Sequence, residues 1–534
     1  MDKLGLIPFL YAHFLILISF QYLVHAAPIT SCDQTPHPQV CAHFMGPDQL
    51  VATLDQDRSH ISFHERAIRV TLNQAVRAHQ LVSGIDLSSF HDRAKLAWSD
   101  CLELYADSLD LLNQSMTSTN PVDSQTWLSA AISNHETCKN GFLDFNSGYL
   151  LENLPVVMLT NFSKLISNSL AINKDRVESY YSSAALRFAK QTRGRRLLAD
   201  HQNGLFPSWV SAADRKLLQK STGAIRADVV VAQDGSGDYQ SVSAAVAASS
   251  KRRGGSGRFV IYVKGGVYNE NVEVKRSMKN IMVIGDGMDV TVIRGGKSVA
   301  GGATTFRSAT FAVMGSGFIA RDLTIENTAG PSKHQAVALR SGSDFSVFYS
   351  CGIKGYQDTL YVYAQRQFYR NCNIQGTIDF IFGDAAAVFQ SCNIYVRKPM
   401  SGQWTTVTAQ GRSDPNENTG IIIHNSHVGG AGGFKVYLGR PWKQYSRTVF
   451  MKTGLDGIVS PAGWLAWSGG FALKTLYYGE YMNTGAGAST GGRVNWPGFH
   501  VITSPAEAGK FTVGNFLGGN SWIPSTGVPF DSGL

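Results

Sequence analysis

The feature that most constrains this 534-residue chain is a repeat near its middle. Phe348-Tyr-Ser-Cys351-Gly-Ile353 returns as Tyr369-Arg-Asn-Cys372-Asn-Ile374 and again as Phe389-Gln-Ser-Cys392-Asn-Ile394. The cysteines are 21 and then 20 residues apart, and a weaker echo follows at Ile423-His-Asn-Ser426-His-Val428. A unit this short cannot bury its own apolar face, but stacked copies can. The period therefore predicts a β-solenoid, most simply a parallel β-helix, with equivalent residues one strand spacing (~4.8 Å) apart. Phe259–Val263, Ile281–Ile284, Phe318–Ile325 and Phe345–Tyr349, punctuated by Gly, Asn and Asp, read as its strands. Such spacing suits a disulfide between neighbouring coils. It leaves Cys351–Cys372, Cys372–Cys392 and three unpaired thiols all open.

The repeat belongs to only part of the chain. Residues 1–218 hold 7 of the 54 glycines. Lys and Arg number 18 against 20 Asp and Glu there, and 30 against 19 afterwards, so all of the +9 formal charge lies beyond residue 218. A Gly-poor, near-neutral piece thus precedes a Gly-rich, basic one. With 43% hydrophobic and 16% charged residues the chain is neither disordered nor coiled coil, and no G-X-Y period makes it collagen. The basic excess suits an acidic polymer. Its charges are scattered and accompany no recognition motif, which argues against nucleic acid.

Apolar spacing before residue 190 is helical. Leu102, Tyr105 and Leu109 recur at three- and four-residue steps within Lys95–Met116, and similar patterns fill 60–85, 123–143 and 152–172. Short polar connectors predict an antiparallel bundle over 27–190. Cys32, Cys41, Cys101 and Cys138 allow three pairings. Cys32–Cys41, a short clip, and Cys101–Cys138, a tie between helices, are favoured. Lys3 and the apolar run Leu4–Val24, ending in Val24-His25-Ala26-Ala27, read as a secretory signal over 1–26, and the run is also long enough for an uncleaved anchor. Sequons at Asn113 and Asn161 suit a secreted route. Residues 191–226 form a linker with two Arg-(Arg/Lys)-Leu-Leu copies, Arg195-Arg196-Leu197-Leu198 and Arg215-Lys216-Leu217-Leu218, which read as processing sites. The solenoid fills 227–534.

The repeat also sets two carboxylates in register. Asp358 follows Cys351 by seven residues and Asp379 follows Cys372 by seven, whereas the third coil has Pro399 at that offset. Side by side, they titrate as a coupled pair, so one can donate a proton while the other serves as anionic nucleophile or base. An aspartate ladder that only caps turns is the competing reading. Gln357 adjoins Asp358, and Gln335 lies 22 residues earlier, about one coil. Neutral amide donors beside a carboxylate pair suit an oxyanion. A glycosidase, whose transition state is positively charged, needs them less. Arg440 can pin a carboxylate at two points, and Trp442 can stack on a sugar. Gln233-Asp-Gly235-Ser-Gly237-Asp opens no dinucleotide-binding unit and reads as a structural turn. There is no metal-ligand spacing of Cys and His, and no serine nucleophile motif.

Gly355-Tyr-Gln357-Asp358-Thr-Leu-Tyr361, Asp379-Phe-Ile-Phe-Gly383 and Leu438-Gly-Arg440-Pro-Trp442 resemble the signature blocks of plant pectin methylesterases. The likeness runs from about Ala227 to the closing Phe530-Asp-Ser-Gly-Leu534. The N-terminal bundle, with its four cysteines, resembles the pectin methylesterase inhibitor domain that precedes many of these enzymes as a pro-region. The resemblance implies an all-β right-handed parallel β-helix catalytic domain behind an all-α pro-domain. It also implies hydrolysis of galacturonate methyl esters in pectin (homogalacturonan). Asp379 is then the nucleophile, Asp358 the proton donor and later base, and Gln357 and Gln335 the oxyanion stabilisers. Arg440 orients Asp379 and, with Thr305 and Trp442, contacts substrate. The resemblance favours Cys372–Cys392 with Cys351 free, and a subtilase-type protease at the linker. It further implies secretion to the cell wall, a mature monomer, control by a proteinaceous inhibitor, and neither metal nor organic cofactor. A pectin depolymerase (glycosidase or lyase) on the same solenoid, or a non-catalytic wall-binding protein, are the alternatives.

Overall fold

The computed structural model describes residues 28–46, 61–88, 90–148, 161–191, 227–251 and 257–534. The expected signal segment and both processing sites lie outside these residues.

The N-terminal part is helical: α1 (Pro38–Met45), α2 (Phe63–Ser83), α3 (Asp92–Thr117), α4 (Pro121–Leu143) and α5 (Phe162–Gln191). Ser62 starts α2 by accepting the N–H of Glu65 at 3.1 Å, and Asn120 with Pro121 starts α4. Cys32–Cys41 and Cys101–Cys138 are both formed, the second tying α3 to α4. Of the helix expected over 152–172, residues 162–172 are helical within Phe162–Gln191, and residues 152–160 lie outside the described residues.

From Val229 the chain winds into three parallel sheets of 11, 7 and 8 strands, most coils contributing one strand to each. The repeat has a direct structural meaning. Phe348, Tyr369 and Phe389 occupy one register position, and their rings stack with centroids 4.8 and 4.4 Å apart inside the coil. The residue before each cysteine, Ser350, Asn371 or Ser391, turns the corner to the next sheet with φ of 52°, 54° or 55°. Short polar side chains tolerate that left-handed conformation, which is why Ser or Asn recurs there. Phe318–Ile325 was expected as one strand. It is two, Ile319–Arg321 and Thr324–Asn327, because Asp322 makes the same corner at φ 55°.

The Cys372–Cys392 disulfide is not formed: Cys351, Cys372 and Cys392 are all free and buried. They lie at one position on three successive coils, so no pair is singled out by spacing. Each thiol points at backbone carbonyls instead, Cys372 at Phe348 O (3.3 Å) and Cys392 at Tyr369 O (3.6 Å).

The seven-stranded sheet positions the site. Its outward row runs Ala312, Arg340, Tyr361, Phe382, Ala409 across adjacent strands. Helices α3 and α4 lie against this row and share one apolar core with it. Polar bridges join the two parts. Ser133 donates to Asp384 (2.7 Å), Lys443 to Glu136 (2.8 Å) and Arg366 to Asp123 (2.7 Å), and Ser167 of α5 donates to Asp414 (2.5 Å).

Candidate active site

Both aspartates sit where the chain turns into the seven-stranded sheet. Both take the left-handed conformation, φ 60° at Asp358 and 50° at Asp379. The register that pairs Leu360 with Ile381 sets them side by side on successive coils, and Asp358 N–H donates to the Ile378 carbonyl at 3.0 Å.

Asp379 is clamped. Arg440 donates from Nε to Oδ1 at 2.8 Å and from Nη2 to Oδ2 at 2.6 Å, the two-point fork that a guanidinium makes on a carboxylate. Thr406 Oγ1 adds a third donor to Oδ1 at 2.6 Å. The far face of the Arg440 guanidinium is covered by the Trp467 ring at 4.4 Å. These contacts aim the carboxylate and balance its charge.

Asp358 has no such donors among the described residues and is only 8% exposed. Burial, reinforced by the negative charges of Asp379 and Asp144, pushes its carboxyl well above the usual range, and Arg440 offsets this only in part. Two adjacent carboxyls in unlike surroundings can divide the work, one holding a proton and the other presenting a lone pair.

The remaining expected residues converge on the same cavity of about 230 Å³, which Thr305, Gln335, Gln357, Arg440 and Trp442 all line. The carbonyl of Gln357 accepts the N–H of Ala336 at 3.2 Å, and this brings Gln335 to the rim from one coil earlier. Neither glutamine amide has a hydrogen-bond partner among the described residues. Trp442 meets Phe382 and Tyr361 edge-on at 5.8 and 6.3 Å, making an apolar wall. Of the sequon residues, Asn113 is exposed on α3 and Asn161 half-buried before α5.

Sequence reasoning missed three contributors. Thr406 lies 27 residues after Asp379 on a coil lengthened by insertion, so no fixed offset points to it. Trp467 stands in no repeat. Asp144, just beyond α4, reaches in from the helical part, and its Oδ2 accepts the N–H of Thr305 at 2.8 Å. Burial raises the Asp144 carboxyl to about 6 against the opposing pull of that N–H. With Thr137, Asn140 and Gly141 it forms the roof of the cavity.

The chain belongs to the pectinesterase family, whose model it matches over residues 228–520, and so to the carboxylic ester hydrolases. Residues 27–172 match the plant invertase/pectin methylesterase inhibitor family. Among particular relatives, probable pectinesterase/pectinesterase inhibitor 6 of Arabidopsis thaliana is 55% identical, over 97% of this chain and 96% of its own. Pectinesterase 2 of Citrus sinensis is 51% identical over 94% of each. Of solved structures, pectin methylesterase from carrot superposes with a TM-score of 0.57 at 57% identity, covering 58% of this chain and 99% of that one.

Proposed function

We propose that this chain is a pro-enzyme that removes methyl esters from galacturonate in pectin, with Asp379 as nucleophile and Asp358 as acid and then base. The observation that carries the reading is the asymmetry of the pair: Asp379 is held by three donors, while burial drives the Asp358 carboxyl upward. Asp379 attacks the ester carbonyl, and the oxygen that becomes negative is met by the amides of Gln335 and Gln357. Asp358 protonates the departing methanol. It then takes a proton from the water that opens the acyl intermediate on Asp379. Arg440 keeps Asp379 aimed, while Thr305 and Trp442 meet the sugar.

The helical part sits over this site and holds Thr305 through Asp144. The reading is therefore of an enzyme that is closed until the linker is cut by a subtilase-type protease, and that acts as a monomer in the cell wall after secretion. The test is methanol release from highly esterified pectin by the intact chain and by residues 227–534, with reducing ends followed in parallel. Methanol without new ends, faster for the shorter piece, is expected. New reducing ends would assign depolymerase chemistry to the pair, and equal rates for both proteins would refute the closed state.

A further inference from the structure

Beyond the catalytic cavity the contact between the two parts changes character, from apolar to ionic. Arg307 donates from Nε to Asp100 Oδ1 at 2.5 Å and from Nη2 to Glu103 Oε2 at 2.6 Å. Thr304 donates to the other Asp100 oxygen at 2.5 Å. Arg276 donates to Asp107 Oδ2 at 2.8 Å. Asp100, Glu103 and Asp107 are three and four residues apart, and so form one stripe of α3. Every carboxylate paired with Arg276 and Arg307 among the described residues thus comes from the helical part.

Arg340 lies in the same region and is stranger. It is 3% exposed, yet no carboxylate among the described residues is paired with it. Its guanidinium lies on the Phe306 ring at 3.4 Å, Nη1 has only the Met314 sulfur at 3.4 Å, and Nε has no partner. A buried guanidinium normally has its donors satisfied. Two buried solenoid arginines are forked from within: Arg366 onto Asp344 (2.9 and 2.7 Å), with Asp123 of the helical part as a further partner, and Arg493 onto Glu480 (2.7 and 3.1 Å). Arg321 Nη1 and Arg370 Nε, like Arg340 Nε, lack a partner among the described residues, but both of those arginines pair with a carboxylate of the solenoid. Among the described residues Arg276, Arg307 and Arg340 have no carboxylate partner in the solenoid.

Their placement ties them to the catalytic cavity. Phe306 lines that cavity and carries Arg340 on its face; Arg307 follows it in sequence and opens onto a neighbouring cleft of about 810 Å³, to which the solenoid adds Arg276, Lys275 and Lys279 against one carboxylate, Glu273, and α3 adds Glu103, Asp107 and Asp110. We infer that Arg307, Arg340 and Arg276 form a binding site for the free carboxylates of a de-esterified polyuronide, and that α3 fills it with Asp100, Glu103 and Asp107 while the helical part is docked. The guanidinium fork matches a carboxylate and gains nothing from its methyl ester, so the site reads the charge state of sugars flanking the reacting one. This inference rests on the pectinesterase reading of the neighbouring cavity.

The experiment uses residues 227–534, a portion that folds without the helical part in the carrot relative, whose solved chain is matched over 99% of its length by 58% of this one. A short, fully de-esterified oligogalacturonate is the probe, as competitor of methanol release from fully esterified pectin. Arg307→Gln and Arg340→Gln should each raise its inhibition constant by about tenfold, and Arg276→Gln by less, since each removes a charge-assisted bond. The KM for esterified pectin should rise far less than that constant, and Arg307→Lys should restore part of the loss. Unchanged inhibition in folded variants overturns the proposal, as does an equal rise in both constants, which would mean that the arginines hold sugars or structure rather than carboxylates. Arg307→Gln, at a partly exposed residue, carries the test if Arg340→Gln does not fold. If the parent protein releases no methanol, the esterase reading fails. Calorimetric titration of the same oligomer then still decides whether the arginines bind it.

Discussion

The solenoid and the helical part meet in one interface but are built on opposite terms. The solenoid's catalytic carboxylate is held from within: Asp379 has Arg440 and Thr406. The helical part's Asp100, Glu103, Asp107, Ser133 and Asp144 find their partners across the interface. The difference teaches which part is designed to stand alone. A site whose geometry is fixed from within keeps it when the cover leaves, whereas the cover's acidic stripe has a purpose only in place.

That contrast can be broken most sharply at its catalytic end. Asp379→Ala in residues 227–534 should lower kcat by about 10⁴-fold, and Asp358→Ala by at least about 10²-fold. Melting temperatures should stay within a few degrees of the parent's, and a variant that keeps most of its turnover would remove that aspartate from the mechanism. Next comes Arg440→Ala, expected to cost about 10²- to 10³-fold in kcat because Asp379 loses both its aim and its counter-charge. A loss confined to KM would instead make Arg440 a substrate contact only.

The interface should respond to pH with a definite sign. Docked, the Asp144 carboxyl is raised to about 6 by burial; released, it returns towards about 4. The docked state therefore binds the proton more tightly. This contribution to docking is full below about pH 4 and is lost as pH rises through 6. In chain cut at the linker, the dissociation constant of the two parts should rise by about tenfold between pH 4 and 7, a figure already reduced for solvent screening. Asp144→Asn should lessen that slope, while Asp100 and Asp358, which face Asp144 and are themselves pushed upward by burial, supply the rest. A slope identical in the variant would exclude Asp144. The smallest effect concerns the cysteine ladder. The denatured, unreduced chain should titrate three thiols, and Cys372→Ala should destabilise the solenoid by about 1–2 kcal/mol. A single titratable thiol would restore the Cys372–Cys392 bridge.

The solenoid was legible because its corner is chemical as well as geometric: an aromatic inside, a Ser or Asn in left-handed conformation, then a small apolar cysteine. The same counting placed Asp358 beside Asp379 and Gln335 beside Gln357, since each pair differs by about one coil. It failed where coils change length, which hid Thr406, and where a partner comes from a different fold, which hid Asp144 behind 200 residues of sequence. The thiols were misjudged by analogy, because three equally spaced cysteines leave pairing undetermined. Arg340 was invisible for another reason: an arginine in a strand looks solvent-facing until the structure shows what covers it.

Among the described residues the bridges between the helical part and the solenoid are all non-covalent, and both disulfides lie within the helical part. On the proposed reading, a cut within residues 191–226 therefore leaves these bridges in place and removes effective concentration instead. Before the cut, docking is a unimolecular equilibrium indifferent to dilution. After it, the two pieces obey mass action, and the occupied fraction falls with the volume into which they are released. On the proposed reading, a cut protein held at high concentration stays closed and opens on dilution.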